Sequence, residues 1–149
     1  MILGFQQKFK NGDLTAFAQK IHCGIKIHTL RDDPSGRWRL NMPIQMAYGN
    51  RTKNYQQFNK HCPHLEVCTG VQNVLLEYKK EEDFVHFYIT VDGCGLGSEE
   101  ICQFLKNDGF DFPIGQALSY GLKQAIAFFF PKGYGKREMK LIHWTDLRY

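Results

Sequence analysis

Gly24-Ile25-Lys26-Ile27-His28-Thr29-Leu30-Arg31 opens with a glycine and then alternates apolar or β-branched residues with charged or polar ones. That alternation predicts a strand with Ile25, Ile27 and Thr29 on one face and Lys26 and His28 on the other. Upstream, Leu14, Phe17, Ala18 and Ile21 share one face at helical spacing, with Asp13 or Thr15 placed to cap the start and Gly24 to supply a left-handed stop. Residues 3–9 alternate apolar and polar as a first strand would, and Lys10-Asn11-Gly12-Asp13 is a turn between them.

Downstream, Asp32-Asp33-Pro34-Ser35-Gly36 reads as a turn, residues 43–48 as a short strand and residues 49–64 as a long polar loop. Residues 71–78 and 84–91 read as a hairpin across the charged turn 79–83, with Val85, Phe87, Ile89 and Val91 facing a core. Ser98 caps a short helix that carries Glu99 and Glu100 in its first turn and ends at Gly109. A longer helix starts at Pro113 with Ile114, Ala117, Leu118, Leu122, Ala125 and Phe129 as its buried stripe, and residues 139–144 form a last strand. Five or six short strands and three helices make an α+β fold, with the strands expected to form a small barrel.

The bulk numbers agree with one folded unit. A chain of 149 residues with 43% hydrophobic and 14% aromatic content fills a core of its own, and no repeat, linker or low-complexity tract divides it. The first residues contain neither a signal-peptide core nor a membrane span, so a cytoplasmic location without membrane attachment is expected. Five cysteines at irregular spacing argue for reduced thiols rather than a disulfide framework. A net charge of +4 favours an anionic partner but is no dense basic tract.

The 24–31 segment resembles the G-x-K-x-x-T-x-R signature of ASCH domains, small PUA-like β-barrels in which it also follows a helix. Asn107-Asp108-Gly109-Phe110 is similar to the acidic-Gly-Phe segment that closes a short helix in that family, and Ile142-His143-Trp144-Thr145 to its final strand. With Arg37-Trp38, residues 51–55 and the tail 143–147, the pattern resembles a phage- and Bacteroidetes-type branch. The chain departs from the family at Leu40-Asn41-Met42-Pro43, where a Gly-Asp turn is common, and in its longer helix after Pro113.

The resemblance implies a cleft beside the signature for RNA or a modified nucleoside. In some minimal members it implies amide hydrolysis of acylated cytidines by a Lys, Thr and acid trio, which falls on Lys26, Thr29 and Asp108. The chemistry is coherent without a cofactor: a hydroxyl becomes nucleophilic when a desolvated amine takes its proton, and an acid then protonates the leaving amine. Against it, Lys26 and Thr29 are three apart and point to opposite faces of an undistorted strand. The competing reading makes Thr29 a core residue, Lys26 a solvated charge and Asp108 a helix-end residue.

For nucleic-acid binding, Arg31, Arg37, Arg51 and Lys53 are candidate phosphate contacts, and Trp38, Tyr55 and Trp144, with His143 beside it, are candidate stacking faces. Each has a plainer reading as a barrel aromatic or a surface cation. His61, Cys62, His64 and Cys68 are of metal-binding type, but the single residue between Cys62 and His64 and the lack of a second cluster argue against zinc, and no metal is expected. Three functions are therefore expected in order: binding of RNA or a modified nucleotide, amide hydrolysis of N4-acylated cytidines, and binding of a host protein through residues 128–130 or the 49–64 loop.

Overall fold

The computed structural model describes residues 1–81, 84–112 and 119–149. In chain order the described elements are β1 (Ile2–Phe5), α1 (Phe17–His22), β2 (His28–Arg31), β3 (Gln45–Tyr48), β4 (Gln56–Gln57), β5 (Gly70–Glu81), β6 (Phe84–Val91), β7 (Cys94–Gly95), α2 (Ser98–Asn107), α3 (Ser119–Phe129) and β8 (Gly135–His143). A single 3-10 turn, Pro63–Leu65, precedes β5. The fold is α+β. The start of the helix expected from Pro113, with Ile114, Ala117 and Leu118, and the turn residues Glu82 and Asp83 lie outside the described residues.

The strands form two sheets and do not close into the single barrel expected. In the smaller, β1 runs parallel to β3, which pairs antiparallel with β4. In the larger the order is β2-β8-β5-β6-β7, antiparallel throughout. The edges β1 and β2 are joined by a side chain instead of a ladder: Arg31 Nη2 donates to the Gly4 carbonyl at 2.7 Å.

The last strand begins at Gly135 rather than Met139 and lies inside the larger sheet, between β2 and β5. Its first half, Gly135-Lys136-Arg137-Glu138, carries no apolar alternation, yet it pairs with residues 75–78 of β5. Ion pairs take the place of apolar burial there: Lys136 Nζ lies 2.6 Å from Glu77 and Arg137 Nη2 lies 2.6 Å from Asp32.

Several local expectations are corrected. The first strand stops at Phe5, and Lys8 instead bridges Leu14. The first helix begins only at Phe17, preceded by Ala16 at φ 50°, and the Thr15 hydroxyl donates to the Gln6 carbonyl at 2.6 Å rather than capping it. Before α2, Gly97 holds the cap position, its N–H donated to the Glu100 carboxylate at 2.7 Å. The strand read over 25–31 starts at His28, with Ile25 exposed and Lys26 buried, the reverse of the expected faces. Among the described residues no helix is long and apolar enough to cross a membrane.

The core lies between the sheets and the helices. Phe104, Leu105, Leu76, Met46 and Leu141 are fully enclosed; Phe110, Phe128 and Phe129 pack edge-on against one another, and Phe9 stacks on Phe110 and meets Phe17 and Phe128 edge-on. Each such ring contributes about 1.5–3 kcal/mol through burial, with geometry adding a fraction of that.

Candidate active site

Lys26 belongs to the turn between α1 and β2, not to a strand. Its N–H and that of Ile25 donate to the Lys20 carbonyl at 3.0 and 2.8 Å, and the Ile27 N–H donates to the Asn107 carbonyl at 2.9 Å. The turn is thus pinned between the C-terminal ends of α1 and α2. Strand alternation does not govern Lys26, which removes the objection that it and Thr29 must point apart.

The lysine side chain runs inward to the end of α2, where backbone carbonyls gather partial negative charge. Lys26 Nζ donates to Asp108 Oδ1 at 2.6 Å and also to the Asp108 backbone carbonyl. Side-chain exposure is 2% for Lys26 and 5% for Asp108, so neither charge is hydrated by bulk water. The ammonium lies 4.8 Å from the Phe17 ring centroid and 5.8 Å from that of Phe5. Gly109, at φ +90°, lets the chain turn beneath it: a Cβ there would sit 3.0 Å from Lys26 Cδ. Lys20 secures the same loop, donating to the Gly109 carbonyl at 2.8 Å and pairing with Asp111 at 2.7 Å.

Burial pulls the Lys26 ammonium down to about 8, against the opposing pull of Asp108 and with help from Arg31 and Lys20. Burial likewise pushes the Asp108 carboxyl above the ordinary carboxylate range, opposed by Lys26 and Arg31. Both shifts favour the neutral form, so moving the proton between the partners is less costly than in water. Such a pair can hand a proton over or take one up near neutral pH.

Thr29 and Arg31 lie two apart on β2 and therefore share a face. With Lys26 and Asp108 they line one cavity of about 80 Å³, closed on other sides by Phe5 and Phe128. The cavity sits between the facing edges β1 and β2, where barrel closure would otherwise lie. The Thr29 hydroxyl has no hydrogen-bond partner among the described residues. Arg31 spends donors on Gly4 and Leu30 and stacks 5.0 Å from the Phe5 centroid. Burial lowers its pKa, with Asp108 and Asp32 opposing.

The other candidates are not brought here. Trp38 and Trp144 are core residues, 7% and 3% exposed, so neither has a face on which a base could stack. Trp144 packs edge-on to Phe5 at 6.5 Å. His143 is fully buried, with Nε2 3.0 Å from Gln72 Oε1, and burial lowers it to about 4. Arg37 is exposed and lies 3.6 Å from the buried Asp33 carboxylate. Arg51, Lys53 and Tyr55 are exposed on the loop before β4, away from the cavity lining. Cys68 is turned into the core, donating to the Gly70 carbonyl, while His61 and His64 are exposed. Among the described residues no three His, Cys, Asp or Glu side chains group as metal ligands.

Sequence reasoning missed the aromatic walls, Phe5, Phe17, Phe110 and Phe128, because an apolar residue lining a cavity has the same pattern as one filling a core. No protein-family model, no curated protein and no solved structure matches this chain.

Proposed function

We propose that the chain hydrolyses the amide of a small N-acylated amine of the acylated-cytidine type, with Thr29 as nucleophile and the Lys26–Asp108 pair as its proton carrier. The observation that carries this reading is the convergence of Lys26, Thr29, Arg31 and Asp108 on one small cavity. Its volume also fits: a water needs about 10–15 Å³, so about 80 Å³ admits an acyl group and not a length of RNA chain. The resemblance to PUA-like ASCH domains, in which the same three positions are implied, supports it.

In the reaction, Lys26 enters as the neutral amine, the form that burial favours and that predominates above about pH 8. It takes the Thr29 hydroxyl proton as Oγ1 bonds to the acyl carbon. The electron pair displaced from the carbonyl rests on oxygen, facing the Arg31 guanidinium. On collapse the C–N bond breaks and the leaving nitrogen takes a proton from Lys26. Water, deprotonated by the same amine, then attacks the acyl carbon, the bond to Thr29 Oγ1 breaks and Lys26 returns the proton to that oxygen, so the acyl group leaves as a carboxylic acid.

The test is release of cytidine from N4-acetylcytidine by the purified protein, followed by chromatography. Thr29→Val and Lys26→Met are expected to lower the rate by about a hundredfold or more, and the wild-type rate to rise with pH through about 8 as Lys26 loses its proton. No release by the wild type, or release that survives Thr29→Val, refutes the reading.

A further inference from the structure

Phe128 and Gln6 face two spaces. Besides the cavity around Lys26, they line an adjoining groove of about 480 Å³ whose walls include Phe9, Tyr120, Lys10 and Lys123. The Phe128 ring, shared by the two spaces, packs edge-on against Phe9 at 6.1 Å, Phe110 at 5.7 Å and Phe129 at 5.2 Å. The groove falls in the range of about 300–1,000 Å³ typical of small-molecule sites, which the cavity alone does not.

Its charge is one-sided. Lys10, Lys123 and Arg137 are in the lining and, among the described residues, no carboxylate is. Arg137 is already committed, donating to the Phe129 carbonyl at 2.8 Å and to both Asp32 oxygens at 2.8 and 2.6 Å. Lys10 and Lys123 are exposed and have no ion pair among the described residues. Asp13, the nearest acid in sequence to Lys10, is outside the lining and accepts from Asn11 at 2.6 Å. Two ammonium groups without an ion pair among the described residues, in a lining that also holds Phe9, Tyr120 and Phe128, complement a flat ring bearing a doubly charged anion.

We infer that the substrate is an acylated nucleoside monophosphate rather than a free nucleoside. The acyl group enters the Lys26 cavity, the base lies against Phe9, Tyr120 and Phe128, and the phosphate is held by Lys10 and Lys123. This rests on the amide-hydrolysis reading for the acyl end, while the groove and its charges are independent of it.

Calorimetric titration with cytidine 5′-monophosphate and with cytidine separates the two ideas, run alongside deacetylation of the N4-acetyl form of each. The nucleotide is expected to bind at least about tenfold more tightly than the nucleoside, the worth of a charge-assisted contact, with the advantage shrinking as salt is added. In the Lys10→Gln/Lys123→Gln variant that ratio is expected to fall to near unity. Equal affinity for the two, a ratio that survives the double substitution, or no binding of either overturns the inference. A single-stranded RNA oligomer that binds more tightly than the mononucleotide also overturns it. Deacetylation abolished by Lys26→Met but indifferent to the phosphate leaves only the amide-hydrolysis reading standing. A phosphate preference without any deacetylation leaves only the groove.

Discussion

Replacing Asp108 by asparagine probes the buried pair through its pH dependence. In the native protein Lys26 lies 2.6 Å from the Asp108 carboxylate, and burial sets the lysine at about 8 despite that partner. Without the carboxylate, desolvation acts unopposed and the lysine ionises only at lower pH still. Stranding one member of a buried pair commonly costs about 3–5 kcal/mol, but a lysine can escape by shedding its proton. Below pH 8 the variant's native state has lost a proton that its unfolded chain keeps, whereas wild type holds that proton in both states. The variant's deficit therefore grows by about 1.4 kcal/mol for each pH unit below 8, down to the pH at which the variant's own lysine takes up its proton. The raised carboxyl of Asp108 acts in the same direction, since native wild type gains a proton before its unfolded chain does as pH falls. Above pH 8 the lysine is neutral in both native proteins and the two stability curves run parallel. Urea titrations followed by circular dichroism from about pH 9 to about pH 6 read the difference directly. A deficit that stays constant across that range refutes the buried pair. The Lys26→Met/Asp108→Asn protein, with no charge to strand, is the control and should show no such growth.

Gly109→Ala forces a side chain into φ +90° and a Cβ to 3.0 Å from Lys26 Cδ and 3.1 Å from Phe17, so a loss of about 2 kcal/mol or more is expected in the same denaturation assay. A substitution that leaves stability unchanged would show that the loop beneath Lys26 is not closely packed. His143 is held at about 4 by burial, below its unfolded value, so the unfolded chain binds the proton first and stability falls as pH drops from about 6.5 to about 4, by about 3 kcal/mol. His28, lowered well below the ordinary range by burial and by Lys26 and His143, acts with the same sign. His143→Phe should therefore lessen the acid loss without abolishing it, and an unchanged acid profile would count against a neutral buried His143.

Much of the fold was legible because it follows local rules. The hairpin of β5 and β6 was plain in its alternating apolar residues and α2 in its acidic first turn and closing glycine, whereas of the strand read over 25–31 only His28–Arg31 forms. Lys26, Thr29 and Asp108 were singled out by residue type and motif, and they do line one cavity together with Arg31. The central place of β8 was hidden because ion pairs with Glu77 and Asp32 replace the apolar alternation that marks a strand. Trp38 and Trp144 were misplaced for the opposite reason: an aromatic that packs a core and one that stacks on a base have the same composition.

Amino-acid order alone determined the α+β class, the turn glycines and the chemical groups available, since propensity and periodicity act over a few neighbouring residues. Only the tertiary structure decided which of those groups meet. Docking the 24–27 turn against the end of α2 buries a lysine 82 residues away from its carboxylate partner in sequence. The absence of a strand ladder between β1 and β2 leaves the cavity between them. Burial and charge proximity are properties of that assembled space, and it is they that move the Lys26 and Asp108 protons toward a range in which chemistry can use them.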